Sequence, residues 1–245
     1  MIVLLYRRIL LMLFILFSIL QESSSQSIDE IIDKHVAAMG GKEKMDSLKT
    51  VIIEGTFRLE EYELPLKAYL SNNVGQRFDL SVLKTSGFII VTPNSGWQFF
   101  PFQGMKEPQP LKQEDRDIYL TLIDLQGPLY NYKEKGNKIN LEGLEKIEEN
   151  SCYKLQVSLK SEQQMTVYVD TLSYYIIKTT IKNINGNPPL IENLFGNFQK
   201  TAEGYIIPNA MTLGPGKMFI RKAVVNAPLA ASKFDPVNAQ KEITQ

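Results

Sequence analysis

The chain has 245 residues with 27 basic and 27 acidic side chains, so its formal net charge is zero, and it holds one Cys and one His. Neutrality argues against nucleic acid as a partner, because phosphate binding needs a basic surface, and it removes the simplest electrostatic route to an anionic membrane. The lone Cys152 cannot form an internal disulfide, so the fold must be held by its core.

Met1–Leu20 carries Arg7 and Arg8 ahead of an apolar run from Ile9 to Phe17, continued by Ile19 and Leu20 and followed by Ser23 and Ser25. This is the order of a secretory signal peptide, and the run is shorter than the ~20 residues of a comfortable bilayer span. An uncleaved anchor is the alternative. Cleavage near Ser25/Gln26 is expected, leaving residues 26–245 as a single exported domain with a charge near −1 and no stable membrane span. No Cys directly follows the leader, so it offers no acceptor for a lipid anchor.

Ser27–Met39 is predicted helical. Ser27 and Glu30 have capping-box spacing, Ile28, Ile31, Ile32, Val36 and Met39 form one apolar face, and Gly40 suits a left-handed cap. Lys42–Leu48 adds a short second helix. The pattern then turns to period two: Val51, Ile53, Phe57 and Leu59, then Leu64–Leu70 and Phe78–Val82. Phe88–Val91 and Trp97–Phe102 are more continuously apolar. Turn signals at Ser71-Asn72-Asn73, Thr85-Ser86-Gly87 and Pro93–Gly96 make antiparallel hairpins the simplest connection. Gln109–Leu125 interrupts the meander with helical spacing of Leu111, Ile118, Leu122 and Leu125. Strands resume at 138–141, 144–148, 153–159, 165–169, 174–181, 190–198, 205–213 and 218–225.

Ten or more strands and two substantial helices define the fold class as α+β, mainly antiparallel β. A sheet of that size curls. Two helices cannot seal its apolar face, and the remaining space suits a small-molecule cavity. Alternation nominates Val51, Ile53, Phe57, Leu66, Phe78, Leu80, Phe88, Ile90, Trp97, Phe99, Ile118 and Leu122 as its lining. The choice of face rests on register alone, since a shift of one residue inverts it.

No catalytic residue is assigned. His35 lies on the first helix without a partner at ligand spacing, and no His or Cys pair exists for zinc, so neither a metal site nor a cofactor is expected. No G-x-S-x-G is present. Gly214-Pro215-Gly216-Lys217 lacks the spacing of a phosphate loop and joins strand patterns, which makes it a hairpin turn. The acidic pairs Glu60/Glu61, Asp115/Asp117 and Glu148/Glu149 sit in turns and a helix start, where carboxylates are solvated.

Several segments together resemble the LolA-like family of lipoprotein carriers, and more closely the outer-membrane lipoprotein-sorting proteins. They are Ile31–Lys44 with its double glycine, Leu125-Gln126-Gly127-Pro128-Leu129 with Lys133–Gly136, Cys152–Val157 with Tyr168-Val169-Asp170, Gly204-Tyr205-Ile206-Ile207-Pro208, and Val225–Leu229 with Phe234-Asp235-Pro236. The resemblance implies a strongly curved, unclosed barrel (a half-barrel) with helices in its concave side and a cavity for acyl chains. It implies a non-enzymatic periplasmic protein whose partner is an acyl chain, lipid or lipoprotein, and it leaves room for a delivery partner in the envelope. The carrier proper holds its lid with a basic residue, for which Arg58 is the candidate. Two other readings stand beside this one: an envelope interaction module with its concave face packed shut, and a hydrolase using paired carboxylates.

Overall fold

The structure is a computed structural model, and it describes residues 26–120, 122–182, 190–213 and 216–244, apart from the side chains of Ile118 and Leu213. The leader, the turn at 183–189 and Gly214-Pro215 lie outside the described residues.

Helix α1, Ile28–Ala38, begins where the sequence signals it: the Ser27 hydroxyl accepts a 3.2 Å hydrogen bond from the Glu30 amide, and Asp29 and Glu30 occupy the first turn. Its buried face is Ile31, Ile32 and His35. Gly40 and Gly41 follow with φ of 108° and 92°. A Cβ on Gly40 would stand 2.9 Å from the Gly204 carbonyl, so this glycine lets the turn into α2, Lys42–Ser47, press against a loop of the sheet.

Thirteen strands form one sheet: β1 (Thr50–Leu59), β2 (Tyr62–Ser71), β3 (Gly75–Val82), β4 (Thr85–Val91), β5 (Gly96–Phe99), β6 (Gln109–Pro110), β7 (Lys138–Ile147), β8 (Asn150–Ser158), β9 (Gln164–Asp170), β10 (Ile176–Lys182), β11 (Leu190–Lys200), β12 (Ile206–Leu213) and β13 (Gly216–Val225). The spatial order is β6-β5-β4-β3-β2-β1-β13-β12-β11-β10-β9-β8-β7, with every pairing antiparallel. Two meanders therefore meet where β1 pairs with β13. The sheet stays open, with β6 and β7 as its edges, which is the half-barrel expected. The segment from Leu111 to Asn137 carries the chain from one edge to the other and contains α3, Gln113–Leu120.

Four details differ from the sequence reading. The two strands expected at 138–148 are one, because Gly143 (φ 126°) absorbs a register shift after Leu141. The helix expected over Gln109–Leu125 shrinks to α3, since Pro110 pairs with Trp97 in the sheet. The Trp97–Phe102 strand stops at Phe99, where Pro101–Gln103 forms a 3-10 turn closed by left-handed Gly104. The fourth is a further helix, α4, Pro236–Thr244. Asp235 caps it, its Oδ1 accepting from the Asn238 amide at 2.8 Å. Asp followed by Pro is a helix-start signal legible in the sequence.

Helix α4 packs on the convex face of the first meander. Ala239 and Ile243 join Tyr69, Phe88, Ile90, Phe99 and Phe234 in one apolar cluster. Arg77, 1 % exposed, anchors the helix from β3. Its guanidinium donates to Asp79 at 2.6 and 2.9 Å and to Glu242 at 2.9 Å, and lies against the Tyr69 and Phe88 rings. Burial raises the Asp79 carboxyl pKa despite that partner.

Candidate functional site

Helices α1 and α2 and the segment that follows α3 lie over the concave face. Most of their ties to the sheet go to turns at one end of it; at the other end, the Asn137 side chain accepts from the Lys160 amide at 3.2 Å. His35 Nδ1 is 2.8 Å from the Tyr174 carbonyl, between β9 and β10. Ser47 Oγ is 2.8 Å from the Tyr205 hydroxyl, between β11 and β12. The Asn73 amide donates to the Ile123 carbonyl at 3.0 Å and the Leu125 amide to Asn72 Oδ1 at 2.9 Å, between β2 and β3. Arg116 donates to the Pro93 carbonyl, between β4 and β5. Connectivity of an antiparallel meander puts all four turns on one rim. Lys135 Nζ holds the segment from behind, 2.6 Å from Asp124 and 2.9 Å from the Gly127 carbonyl.

Between this cover and the sheet is a cavity of about 290 Å³, near the low end of the ~300–1,000 Å³ of small-molecule sites. Val51 and Ile53 of β1, Phe78 of β3, and Met218 and Ile220 of β13 face it from the sheet. Met39, Met45, Leu48, Leu122 and Leu125 close it from the cover. The polar groups on its wall are few. Burial holds the His35 pKa below its ordinary value, the Tyr174 carbonyl partly opposing this, so the imidazole is neutral. Gln76 donates to the Tyr119 carbonyl from the start of β3. The wall suits an apolar guest: among the described residues it offers no uncompensated charge, and Asp124 is paired with Lys135.

Of the lining residues expected from sequence, Val51, Ile53, Phe78 and Leu122 stand on the cavity wall. Phe57, Leu66 and Leu80 share their face and apolar cluster but lie farther along the strands. The Ile118 side chain lies outside the described residues. Phe88, Ile90, Trp97 and Phe99 require a correction. Pairing puts Ile90 opposite both Arg77 and Trp97, and Phe88 opposite Asp79 and Phe99. All four therefore lie on the convex face, beneath α4. Strand β4 is apolar on both faces, Phe88 and Ile90 on one and Ile89 and Val91 on the other, so alternation separates the faces without saying which is concave.

Sequence reasoning missed the second meander's share of the wall, including Met165, Ile181 and Met211. Methionine was the available signal. Five of the chain's eight, Met39, Met45, Met165, Met211 and Met218, line the cavity. Unbranched and polarisable, methionine gives a wall that can remodel around guests of different shape. Arg58 does not reach the cover: it lies on the convex face, paired with Glu63 and stacked over the Phe219 ring at 5.0 Å. Among the described residues no cluster of His, Cys, Asp or Glu could hold a metal ion, and no helix is long and apolar enough to cross a membrane.

This architecture is that of a known class, the LolA-like half-barrel. A LolA superfamily protein from Nitrosomonas europaea superposes with a TM-score of 0.55 at 13 % identity, covering 86 % of this chain and 98 % of that one. A protein described as an outer membrane lipoprotein-sorting protein domain, from Vibrio parahaemolyticus, superposes with a TM-score of 0.54 at 13 % identity, covering 88 % and 97 %. No family model and no curated protein sequence matches the chain. The chain thus has the LolA-like fold over most of its length.

Proposed function

We propose that this protein is an exported, non-enzymatic carrier that binds a lipid or a lipidated chain in the bacterial periplasm. On this reading the leader is cleaved near Ser25 and residues 26–245 act as one lipid-binding domain. The observation that carries the proposal is the apolar cavity between the concave face and its cover. An interaction module with that face packed shut would leave no such space. The likeness in fold to a lipoprotein-sorting domain supports the assignment, as does the leader pattern. Affinity would come from burial of the chain, at about 0.8 kcal/mol per methylene, offset by the cost of ordering it. Exchange would need no nucleotide, only movement of the cover.

Native mass spectrometry with lipid extraction, on protein purified from the envelope, tests the proposal. A co-purifying acyl compound is expected, together with saturable uptake of a fluorescent fatty acid by the stripped protein. Protein repeatedly free of lipid and unable to take up the probe would overturn it.

A further inference from the structure

The cover is tied mainly to one rim of the sheet, and the opposite rim carries apolar residues that nothing among the described residues accounts for. We infer that this opposite rim, marked by Tyr62 and Leu83, is the surface through which the protein meets a lipid bilayer. The inference rests on the lipid-carrier reading and adds to it the place of exchange.

Three observations converge. The first is a gradient of burial along one face. Ile53, Ala68 and Phe78 pair across β1, β2 and β3 and are buried. On the same face toward the opposite rim, Phe57, Leu64 and Leu80 are half-buried. At the rim Tyr62, paired with Leu59, is 68 % exposed. An apolar strip therefore runs from the cavity wall to the tips of two neighbouring hairpins.

The second is Leu83. It is fully exposed and begins the two-residue turn between Val82 and Thr85, with φ of 56°. That backbone position favours glycine or asparagine, so neither local conformation nor packing among the described residues explains a leucine there. Burial by something outside the protein does.

The third is the character of the rim. Glu60, Glu61, Lys84 and Lys217 mix the signs of its charge, which provides no field for an anionic surface. Two apolar tips also bury far less than the ~1,000 Å² of a stable protein interface. Shallow, reversible insertion into a neutral bilayer fits both facts. An acyl chain leaving along the strip would then pass between the cavity and the bilayer without crossing water.

The test loads the full-length exported protein with a fluorescent fatty acid and mixes it with phosphatidylcholine vesicles carrying an energy-transfer acceptor. Wild-type transfer should rise with vesicle concentration and change little with salt, as an apolar contact requires. Leu83→Asp and Tyr62→Glu should each transfer at least about five-fold more slowly, as loss of a partly embedded apolar side chain predicts. Their equilibrium uptake without vesicles should stay at the wild-type level. Leu172→Asp, at an 89 % exposed leucine on the covered rim, should transfer normally. A wild-type protein that takes up no fatty acid defeats the carrier reading itself. Normal uptake with rim variants that transfer like wild type, or equal slowing by Leu172→Asp, or a rate independent of vesicle concentration, overturns the rim alone and would direct attention to a protein partner.

Discussion

Tyr205, in the turn before β12, and Ser47, at the end of α2, share a hydroxyl–hydroxyl hydrogen bond of 2.8 Å. The same Tyr205 hydroxyl accepts from Asn226 Nδ2 at 2.8 Å, and Asn226 Oδ1 accepts from the Lys49 amide at 2.8 Å. One phenol thus couples the cover, the end of β13 and the entry to β1. Tyr205→Phe keeps the ring and removes the link, leaving the half-buried Ser47 hydroxyl with the Lys44 carbonyl alone and turning the exposed Asn226 amide to solvent. A loss of about 1 kcal/mol in urea unfolding is expected, with faster exchange of bound probe because the cover is held less firmly. Unchanged exchange would show that this contact does not restrain it.

Helix α4 should depend on Arg77. Arg77→Leu removes the cation between Asp79 and Glu242 and leaves Asp79 buried without its partner. A loss of about 3 kcal/mol is expected, at the low end for a broken buried pair, because Glu242 keeps its bond to Lys233. Hydrogen exchange should accelerate in Pro236–Thr244 before it does in β1 or β13. Protection of α4 equal to wild type would show that its apolar contacts suffice.

Phe99, expected from sequence to line the cavity, and Met211, which does line it, should behave differently. Phe99 lies under α4, so Phe99→Ala should cost about 3–5 kcal/mol while uptake per folded molecule stays unchanged. Met211→Trp, which places bulk on the cavity wall, should reduce fatty-acid uptake about ten-fold with a stability change of ~1–3 kcal/mol. Titration of the probe against each folded variant checks both, and loss of uptake in Phe99→Ala would contradict the register.

His35 is the only histidine, so it isolates one titration. Its pKa in the folded protein lies below the unfolded value of about 6.5 because burial disfavours the imidazolium. Between those two values the unfolded chain binds the extra proton, so stability falls as pH drops below about 6.5, with a slope of at most ~1.4 kcal/mol per pH unit from this group. His35→Gln removes the proton-binding site, so unfolding measured from pH 7 to pH 5 should be flatter than in wild type. An unchanged slope would mean that His35 titrates normally.

Cys152 is fully buried, and its thiol pKa is pushed up to about 11 by burial and by the nearby Asp170. The thiolate that reacts is therefore scarce at pH 8. A disulfide reagent should label the folded protein negligibly and the urea-unfolded chain completely, which makes Cys152 a reporter of global opening.

By itself the sequence determined the element types and much of their order. Ser27 with Glu30 set the start of α1, turn residues separated the hairpins, and period-two patterning identified the strands of both meanders. These signals are local, arising from hydrogen bonds and side-chain directions within a few residues. Asp235-Pro236 carried the same kind of signal for α4. Tertiary structure alone decided which face became the hollow. Residues 88 to 91 are apolar on both faces, and only the seating of α4, bonded to Arg77 from more than 150 positions away in the chain, distinguishes the covered convex face from the hollow. It also decided that Met165, Met211 and Met218 would meet Met39 and Met45 across a common space. That meeting depends on how far a thirteen-stranded sheet curls before its two edges are bridged, a sum of small twists that no single stretch of sequence displays.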